Sequence, residues 1–315
     1  MAWVTWRQHR LQLAAMLVLL AGVAVAALAS SLPIRAAYHR HALSSCLPPA
    51  TRSGCDLIIS HFENQFGSSA RVARYLTFLP ALVGLFVGAP LLARELEHGT
   101  HRLAWTQSVT RRRWLLSKTL LLALATLLGA LALSGIAMWW RGPFDAVGGR
   151  MDPSAFDVEG LVVPAYAVFA LAVGVLAGVL LRRTLAAMSL TLAVFVATRV
   201  GVEKFLRPHY LPAKQSTASG LSADAHARDW VVHNSLVDAV GRHISTARED
   251  LAIVHAQQAQ IDPQEYLLTL GWRRAISFQP ADRFWTFQAL EAGIFLVLAA
   301  VTVAATVWCL RRTPS

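Results

Sequence analysis

Charged residues are scarce in this chain of 315 residues, where Asp, Glu, Lys and Arg together make up 15% of the sequence. An ordinary globular protein carries about 25%. Apolar residues fill 55% of the chain, and the mean hydropathy is +0.47. Long apolar runs with so few charges exclude a disordered chain, and three cysteines are too few for a disulfide-rich mini-protein. We therefore predict a membrane protein with several spans, and not a cytosolic enzyme.

The sequence also lacks the short motifs of several enzyme classes. It has no GxxxxGK[ST] phosphate loop, and therefore no sign of its own ATPase, and it has neither HExxH nor CxxC. Its histidines are irregularly spaced, apart from His98 and His101, so we predict no metal site and no cofactor. We predict that the chain is not an enzyme. Four acidic residues that follow the third predicted span are interpreted as a charged, soluble turn: Asp145, Asp152, Asp157 and Glu159.

Basic residues outnumber acidic ones, with 29 Lys and Arg against 18 Asp and Glu and a formal charge of +11. In a soluble domain this excess would suggest nucleic acid. In a membrane protein the same excess sets the topology, because Lys and Arg are concentrated in cytoplasmic loops. We therefore expect the lipid bilayer as a partner and no nucleic acid.

Six segments are long enough and apolar enough to cross the hydrocarbon layer. We predict helices for all six, because a helix satisfies its own backbone in lipid. The first segment also resembles a secretory signal, but its run of about 22 residues exceeds the roughly 7–15 of a signal core, so we favour a retained span. The predicted spans are 11–32, 76–93, 114–140, 161–181, 184–202 and 287–310.

The distribution of charge orients these spans. With the N-terminus inside, the four inner segments hold eleven basic residues in 37 positions, whereas the two shorter outer loops hold seven in 63. We therefore expect a multi-pass protein of the plasma membrane with both termini in the cytoplasm. The predicted units are 1–202 with spans one to five, 203–286 as an extracellular loop, and 287–315 with the sixth span and a short tail.

The 203–286 loop is predicted to form a small helical cap. Apolar spacing favours a helix over 229–244, and further helices are predicted over 246–259 and 263–270. Thr246, with Glu249 three residues later, fits a capping box. The predicted fold class is thus all-α, with six transmembrane helices and a helical cap between spans five and six.

Two pairs of residues are candidates for special roles outside the cytoplasm or within the bilayer. Cys46 and Cys55 share an outer loop, where an oxidising compartment favours a disulfide, with two free thiols as the alternative. Arg199 and Glu291 lie inside predicted spans, where an ionisable residue is costly and suggests function. Glu291 lies about one turn into its span, so interfacial placement, or pairing with Arg199 or Arg283, is as plausible as a substrate role.

The inner loop 94–113 is the strongest local feature. A charged helical turn leaves the second span, Gly99 breaks it, a short surface helix is predicted over 100–106, and basic residues precede the third span. This stretch resembles the permease subunits of type-2 ABC exporters, as does the topology of six spans. The 280–288 segment is similar to an actinobacterial branch of that group. The residues that match the loop pattern are Arg94, Glu95, Glu97, Gly99, Thr100, Thr110, Arg111 and Lys118.

The resemblance implies an exporter permease that pairs with a second permease copy and with separate ABC ATP-binding subunits, which bind ATP and Mg. It also implies that the loop 94–113 transmits the movement of those subunits, with Glu95, Glu97, Gly99 and Thr100 as the coupling segment. The alternative is a membrane scaffold or sensor that binds a ligand or partner through its cap. An ion-coupled carrier should show charged midplane residues and inverted repeats, whereas the spans here are nearly free of charge. A membrane enzyme should show acidic residues or histidines clustered at the end of a span.

Overall fold

The computed structural model describes residues 2–47, 54–97, 111–217 and 228–312. Within these ranges, six helices are long and apolar enough to cross a membrane. Each overlaps one of the six predicted spans, so the prediction of a six-span, mostly helical membrane protein is confirmed. The spanning segments are Arg10–Arg40, Leu57–Arg94, Thr119–Gly148, Val162–Leu181, Thr184–His209 and Ala281–Arg312.

Four spans lie in regular α-helices with bounds Ala2–Arg40, Arg111–Gly148, Val162–Leu181 and Phe284–Arg312. Two of them are much longer than the apolar runs that predict them. Helical backbone satisfies its own hydrogen bonds at any depth, so a helix that crosses the hydrocarbon readily continues beyond it.

The second span is a chain of short helical segments. It follows an α-helix over Cys55–Ala73 with a 3₁₀ turn, a short α-helix, a π-helical turn and a final α-helix. Pro80, Pro90, Gly84 and Gly88 fall in this stretch, and proline and glycine are the residues that disrupt regular helix. The segments are Arg74–Phe78, Leu79–Val83, Gly84–Gly88 and Ala89–Glu97.

The fifth span is also irregular at one end. Its α-helix Thr184–Gly201 continues as a π-helical turn over Val202–Leu206 and a 3₁₀ turn over Arg207–His209. Pro208 cannot donate a backbone hydrogen bond, so the regular helix stops before it. The short helices elsewhere are Leu43–Cys46, Pro153–Phe156 and Ala281–Arg283.

The fourth span is the centre of the bundle. Of its most apolar stretch 89% is buried, against 6% for the first span. Backbone contacts with the second span make this enclosure possible: a Cβ built on Gly174 would lie 2.4 Å from the Gly84 carbonyl oxygen, and one on Gly178 would lie 2.8 Å from that of Ala89. Small residues four apart let membrane helices approach this closely.

The two ends of the bundle have separate apolar clusters. One cluster joins Ile34, Phe62 and Trp140. The other joins Leu13, Leu92, Leu122 and Leu310 at the opposite ends of the same helices. The described parts of the loops 41–54, 149–161 and 203–286 therefore lie on one side of the bundle, which we call the cap end. We call the other side the opposite end.

The prediction of an all-α fold with a purely helical cap is wrong, because the cap contains a three-stranded antiparallel sheet in the order β1-β3-β2. The strands are β1 Lys214–Thr217, β2 Trp230–Val237 and β3 Arg273–Gln279. Strand β2 replaces the first half of the helix predicted over 229–244. Its tryptophan, valines and paired polar residues favour a half-buried strand, and β3, which pairs with it, lies about forty residues later.

The two other cap helices are confirmed, with bounds Thr246–Gln258 and Pro263–Thr269. They pack on the sheet through Leu236, Ala252 and Leu267. The capping detail is wrong, because Ser245 and not Thr246 is the N-cap, and its side chain makes no capping hydrogen bond. Ser245 has the extended backbone of an N-cap, and its carbonyl oxygen already accepts the Glu249 N–H at 3.0 Å.

Candidate functional site

The coupling segment predicted at the opposite end is joined to the fifth span. Arg94 and Glu97 are exposed at the end of the helix Ala89–Glu97. The Glu97 carboxylate accepts hydrogen bonds from the backbone N–H of Thr184 at 3.1 Å and from its hydroxyl at 2.8 Å. Arg183, the N-cap of the fifth-span helix, provides no side-chain cap. Glu97 therefore caps that helix from another span, and its negative charge suits a helix N-terminus.

For some of the remaining residues of the predicted segment, the structure describes only the backbone, and others lie outside the described residues. Glu95 lies in the helix Ala89–Glu97, Arg111 begins the helix of the third span, and Lys118 follows two turns later. Gly99, Thr100 and the short helix predicted over 100–106 lie outside the residues that the structure describes. His98 and His101 also lie outside the described residues. Within the described residues, no group of three or more His, Cys, Asp or Glu could hold a metal ion.

At the cap end, Glu291 lies fully buried in a polar network that joins three spans. Two nitrogens of the equally buried Arg207 donate to its oxygens at 2.7 and 2.8 Å. The hydroxyls of Tyr166 and Tyr210 also donate to Glu291, the latter at 3.1 Å. Fully satisfied hydrogen bonding is what makes a buried carboxylate tolerable.

Arg199, the other predicted intramembrane residue, belongs to the same network through Asp157. Its Nη2 lies 2.6 Å from one Asp157 oxygen, while Arg207 donates to the other oxygen at 2.7 Å. The Arg199 guanidinium also stacks 4.3 Å from the centre of the Tyr166 ring. The network, defined as Asp157, Tyr166, Arg199, Arg207, Tyr210 and Glu291, thus holds two carboxylates and two guanidinium groups, whose charges balance.

One of the alternatives for Glu291, pairing with Arg199 or Arg283, is wrong in its partner. Glu291 pairs with Arg207, whereas Arg199 pairs with Asp157. Arg283 donates instead to the Pro212 carbonyl oxygen and to Gln279, both at 2.7 Å. The reason is geometric: Arg207 follows the π-helical turn that ends the fifth span, and that turn brings its side chain into the bundle.

The prediction that the acidic residues after the third span form a soluble turn is wrong, because Asp157 and Glu159 are buried. Glu159 pairs with Arg141 and with Arg150, each at 2.9 Å. Asp145 lies 3.4 Å from Arg141. Nearby basic residues neutralise these acids, so the 141–159 segment folds into the cap end, and only Asp152 matches the prediction by remaining exposed.

A buried glutamine ties this segment to the sixth span. Gln288 accepts from the Val162 N–H and donates to the Phe156 carbonyl oxygen, both at 3.0 Å. Gly160 lies against it with φ +67°, and a Cβ there would lie 2.6 Å from the Gln288 oxygen. Only glycine fits both the conformation and the space.

Two groups of the network that lie outside the spans have perturbed acidity. Burial, together with the Glu291 carboxylate, raises the pKa of the Tyr210 hydroxyl. Tyr210 therefore stays protonated and donates a hydrogen bond to Glu291. Burial also raises the pKa of the Asp157 carboxyl, and the guanidinium groups of Arg199 and Arg207 oppose that rise. The two arginines therefore favour the charged form of Asp157.

The remaining sequence candidate is the cysteine pair. Cys46 and Cys55 form a disulfide at the cap end, with their Cα atoms 5.4 Å apart. The bond closes the hairpin between the first span and the helix Cys55–Ala73. It lies next to the cluster of Ile34, Phe62 and Trp140, far along the bundle from Glu97.

Sequence reasoning missed Arg207, Asp157 and Tyr166 as members of the network. Arg207 follows the predicted end of the fifth span, and Asp157 precedes the fourth, so both seemed to belong to solvated loops. A usable signal was present: charged residues of both signs flank three span ends that must lie on the same side of the bilayer.

Comparison with protein families gives one match. The model of a family described as "ABC-2 membrane transporter related" matches residues 16–207, which is more than half of the chain. The matched region runs from the first span through Arg207 and includes the 94–113 loop. No curated protein matches the chain.

Proposed function

Because the chain belongs to the ABC-2 membrane transporter related family, we propose that it is the permease subunit of an ATP-driven ABC exporter. The observation that carries this proposal is the family match, which covers five of the six membrane helices. The sequence has no phosphate-binding loop, so ATP and Mg are bound by a separate ATP-binding subunit. A second permease copy completes the membrane part of the complex.

The proposed orientation places the cap outside the cell and both termini in the cytoplasm. The bias of Arg and Lys toward the N-terminus, 94–113, 182–183 and the C-terminal tail supports this arrangement. The disulfide at the cap end also supports it, because such bonds persist in oxidising compartments. The opposite end, with Glu97, then faces the ATP-binding subunit.

In this mechanism, the 94–113 loop passes movement of the ATP-binding subunit to the spans. Glu97 supports the proposal because its carboxylate joins the end of the second span to the start of the fifth. A displacement of the loop is therefore transmitted to Thr184 without an intervening flexible segment. At the other end of the fifth span, Arg199 stacks on Tyr166 of the fourth span and Arg207 pairs with Glu291 of the sixth, so the movement reaches both spans.

Association with the ATP-binding subunit tests the proposal. The full chain, carrying an affinity tag, is co-expressed with candidate ABC ATP-binding subunits and recovered in mild detergent. We expect the two to co-purify. The double variant Glu95→Lys/Glu97→Lys should lose the ATP-binding subunit while the permease still dimerises, because charge reversal opposes basic residues on the partner.

Glu265→Lys is the matched control, since it reverses an exposed charge on the cap at the other end of the bundle. It should leave the association intact. Failure of the wild-type chain to recover any ATP-binding subunit would contradict the exporter assignment. Equal recovery by the wild type and the double variant would contradict only the role of the coupling segment.

A further inference from the structure

A cavity of about 480 Å³ opens at the cap end between the second and fifth spans. Its apolar wall includes Phe78 and Phe195, and its polar residues include Arg74, Arg199 and Glu203. Phe195 is buried in the core, whereas Phe78 is largely exposed. The cavity thus combines an apolar surface, open toward the side of the bundle, with a charged end.

Arg199 has an unused donor in this environment. Its side chain is only 9% exposed, and its Nη2 is occupied by Asp157 at 2.6 Å and by the Thr77 hydroxyl at 3.1 Å. Among the described residues its Nη1 has no hydrogen-bond partner, and the Glu203 carboxylate lies 3.8 Å from it. A buried donor without an acceptor is costly, so the site favours a ligand that brings an acceptor.

The carboxylates around the cavity differ in how strongly they would compete with an anionic ligand for Arg199. Both oxygens of Asp157 are taken by Arg199 and Arg207, and one Asp152 oxygen accepts from Ser154. Glu203 is different, because its side chain is 35% exposed and its contact with Arg199 is long, at 3.8 Å. It acts as an internal competitor that an incoming oxyanion must displace.

We propose that this cavity binds an anionic amphiphile, a molecule with an oxyanion headgroup and an apolar body. The oxyanion accepts from Nη1 of Arg199, and the exposed guanidinium of Arg74 adds a second positive charge. The apolar body lies along Phe78 and Phe195. Binding at this site needs only the permease chain, so the inference stands apart from the coupling to an ATP-binding subunit.

Three probes identify the ligand chemistry with the full chain purified in dodecyl maltoside, an uncharged detergent. Native mass spectrometry measures the occupancy by dodecyl phosphate, inorganic phosphate and dodecyltrimethylammonium. We expect dodecyl phosphate to bind at least about tenfold more tightly than either other probe, because it alone has both the charge and the apolar body. Equal affinity for inorganic phosphate and dodecyl phosphate would overturn the claim that the site binds an apolar body. Tighter binding of dodecyltrimethylammonium than of dodecyl phosphate would overturn the claim that the site prefers an anion.

Variants locate the probe. Glu203→Gln should bind dodecyl phosphate about three- to tenfold more tightly, because the internal competitor loses its charge. Arg74→Gln and Arg199→Lys should weaken binding by about three- to tenfold. Arg71→Gln removes an exposed arginine that does not line the cavity and should change nothing.

The Glu203 variant separates ligand binding from damage to the fold, since a misfolded site does not gain affinity. Weaker or unchanged binding of dodecyl phosphate by Glu203→Gln would overturn the proposal, as would equal losses from Arg71→Gln and Arg74→Gln. An absence of dodecyl phosphate binding to the wild-type chain would also overturn it.

Discussion

The first and fourth spans are both strongly apolar, yet one lies on the outside of the bundle and the other at its centre. Only 6% of the most apolar stretch of the first is buried, against 89% of the fourth. The first presents large aliphatic side chains such as Leu17, Val18 and Leu28. The fourth carries Gly174 and Gly178, which let the second span approach its backbone. Hydropathy thus predicts that a helix crosses the membrane, whereas glycines at the contact with the second span allow the fourth span to lie at the centre of the bundle.

The largest effect should come from the charges that pack around the cap end of the central fourth span. Arg207→Gln would leave Asp157 and Glu291 buried without their shared cation, which we expect to cost about 3–5 kcal/mol of stability. Thermal unfolding of the purified chain in detergent measures the loss. Arg242→Gln is the control, because Arg242 is 79% exposed in its pair with Asp238 and its loss should change stability little. Similar losses for the two variants would contradict the structural role of the network.

The next largest difference should come from the glycines themselves. Gly174→Ala would place a Cβ 2.4 Å from the Gly84 carbonyl oxygen and 2.6 Å from the Ala89 nitrogen, so the helices must separate. We expect a loss of about 1–3 kcal/mol. Gly22→Ala in the first span meets nothing within 4 Å and should not destabilise the protein. The same unfolding measurement decides, and an equal effect at both positions would break the comparison between the spans.

The smallest effect should be at the opposite end, where Glu97 caps the fifth span. Glu97→Ala removes the acceptor for the Thr184 N–H, which we expect to cost about 1 kcal/mol. Amide hydrogen exchange should become faster in the first turn of the helix Thr184–Gly201. Glu265→Ala, the same substitution at an exposed residue of the cap, is the control and should leave exchange in that turn unchanged. Unaltered exchange in Glu97→Ala would show that the hydrogen bond from Thr184 to Glu97 does not stabilise this end of the helix.

The sequence predicts the spans well because crossing a bilayer requires a long, continuous apolar run that is visible locally. It predicts the polar network poorly because the partners are far apart along the chain. Arg207 meets Asp157 fifty residues away and Glu291 eighty-four residues away. Arg199 and Glu291 could still be selected, since a charge inside an apolar run is itself unusual.

The cap shows the same limit for secondary structure. The helix Thr246–Gln258 has local signals, and the prediction holds. Strand β2 depends on pairing with β3, from Trp230↔Gln279 at one end to Val237↔Arg273 at the other, and a short window of sequence contains no sign of that partner. Its apolar residues are compatible with either period, so the distant strand decides the structure.

The most direct test of the central claim, that this chain is a permease driven by a separate ATP-binding subunit, is ATP hydrolysis in proteoliposomes. The chain alone, the ATP-binding subunit alone and their complex are compared at equal protein amounts. We predict no hydrolysis by the chain alone, and a turnover by the ATP-binding subunit that rises severalfold in the complex. ATP hydrolysis by the isolated chain, or a turnover that the chain does not alter, would contradict the account.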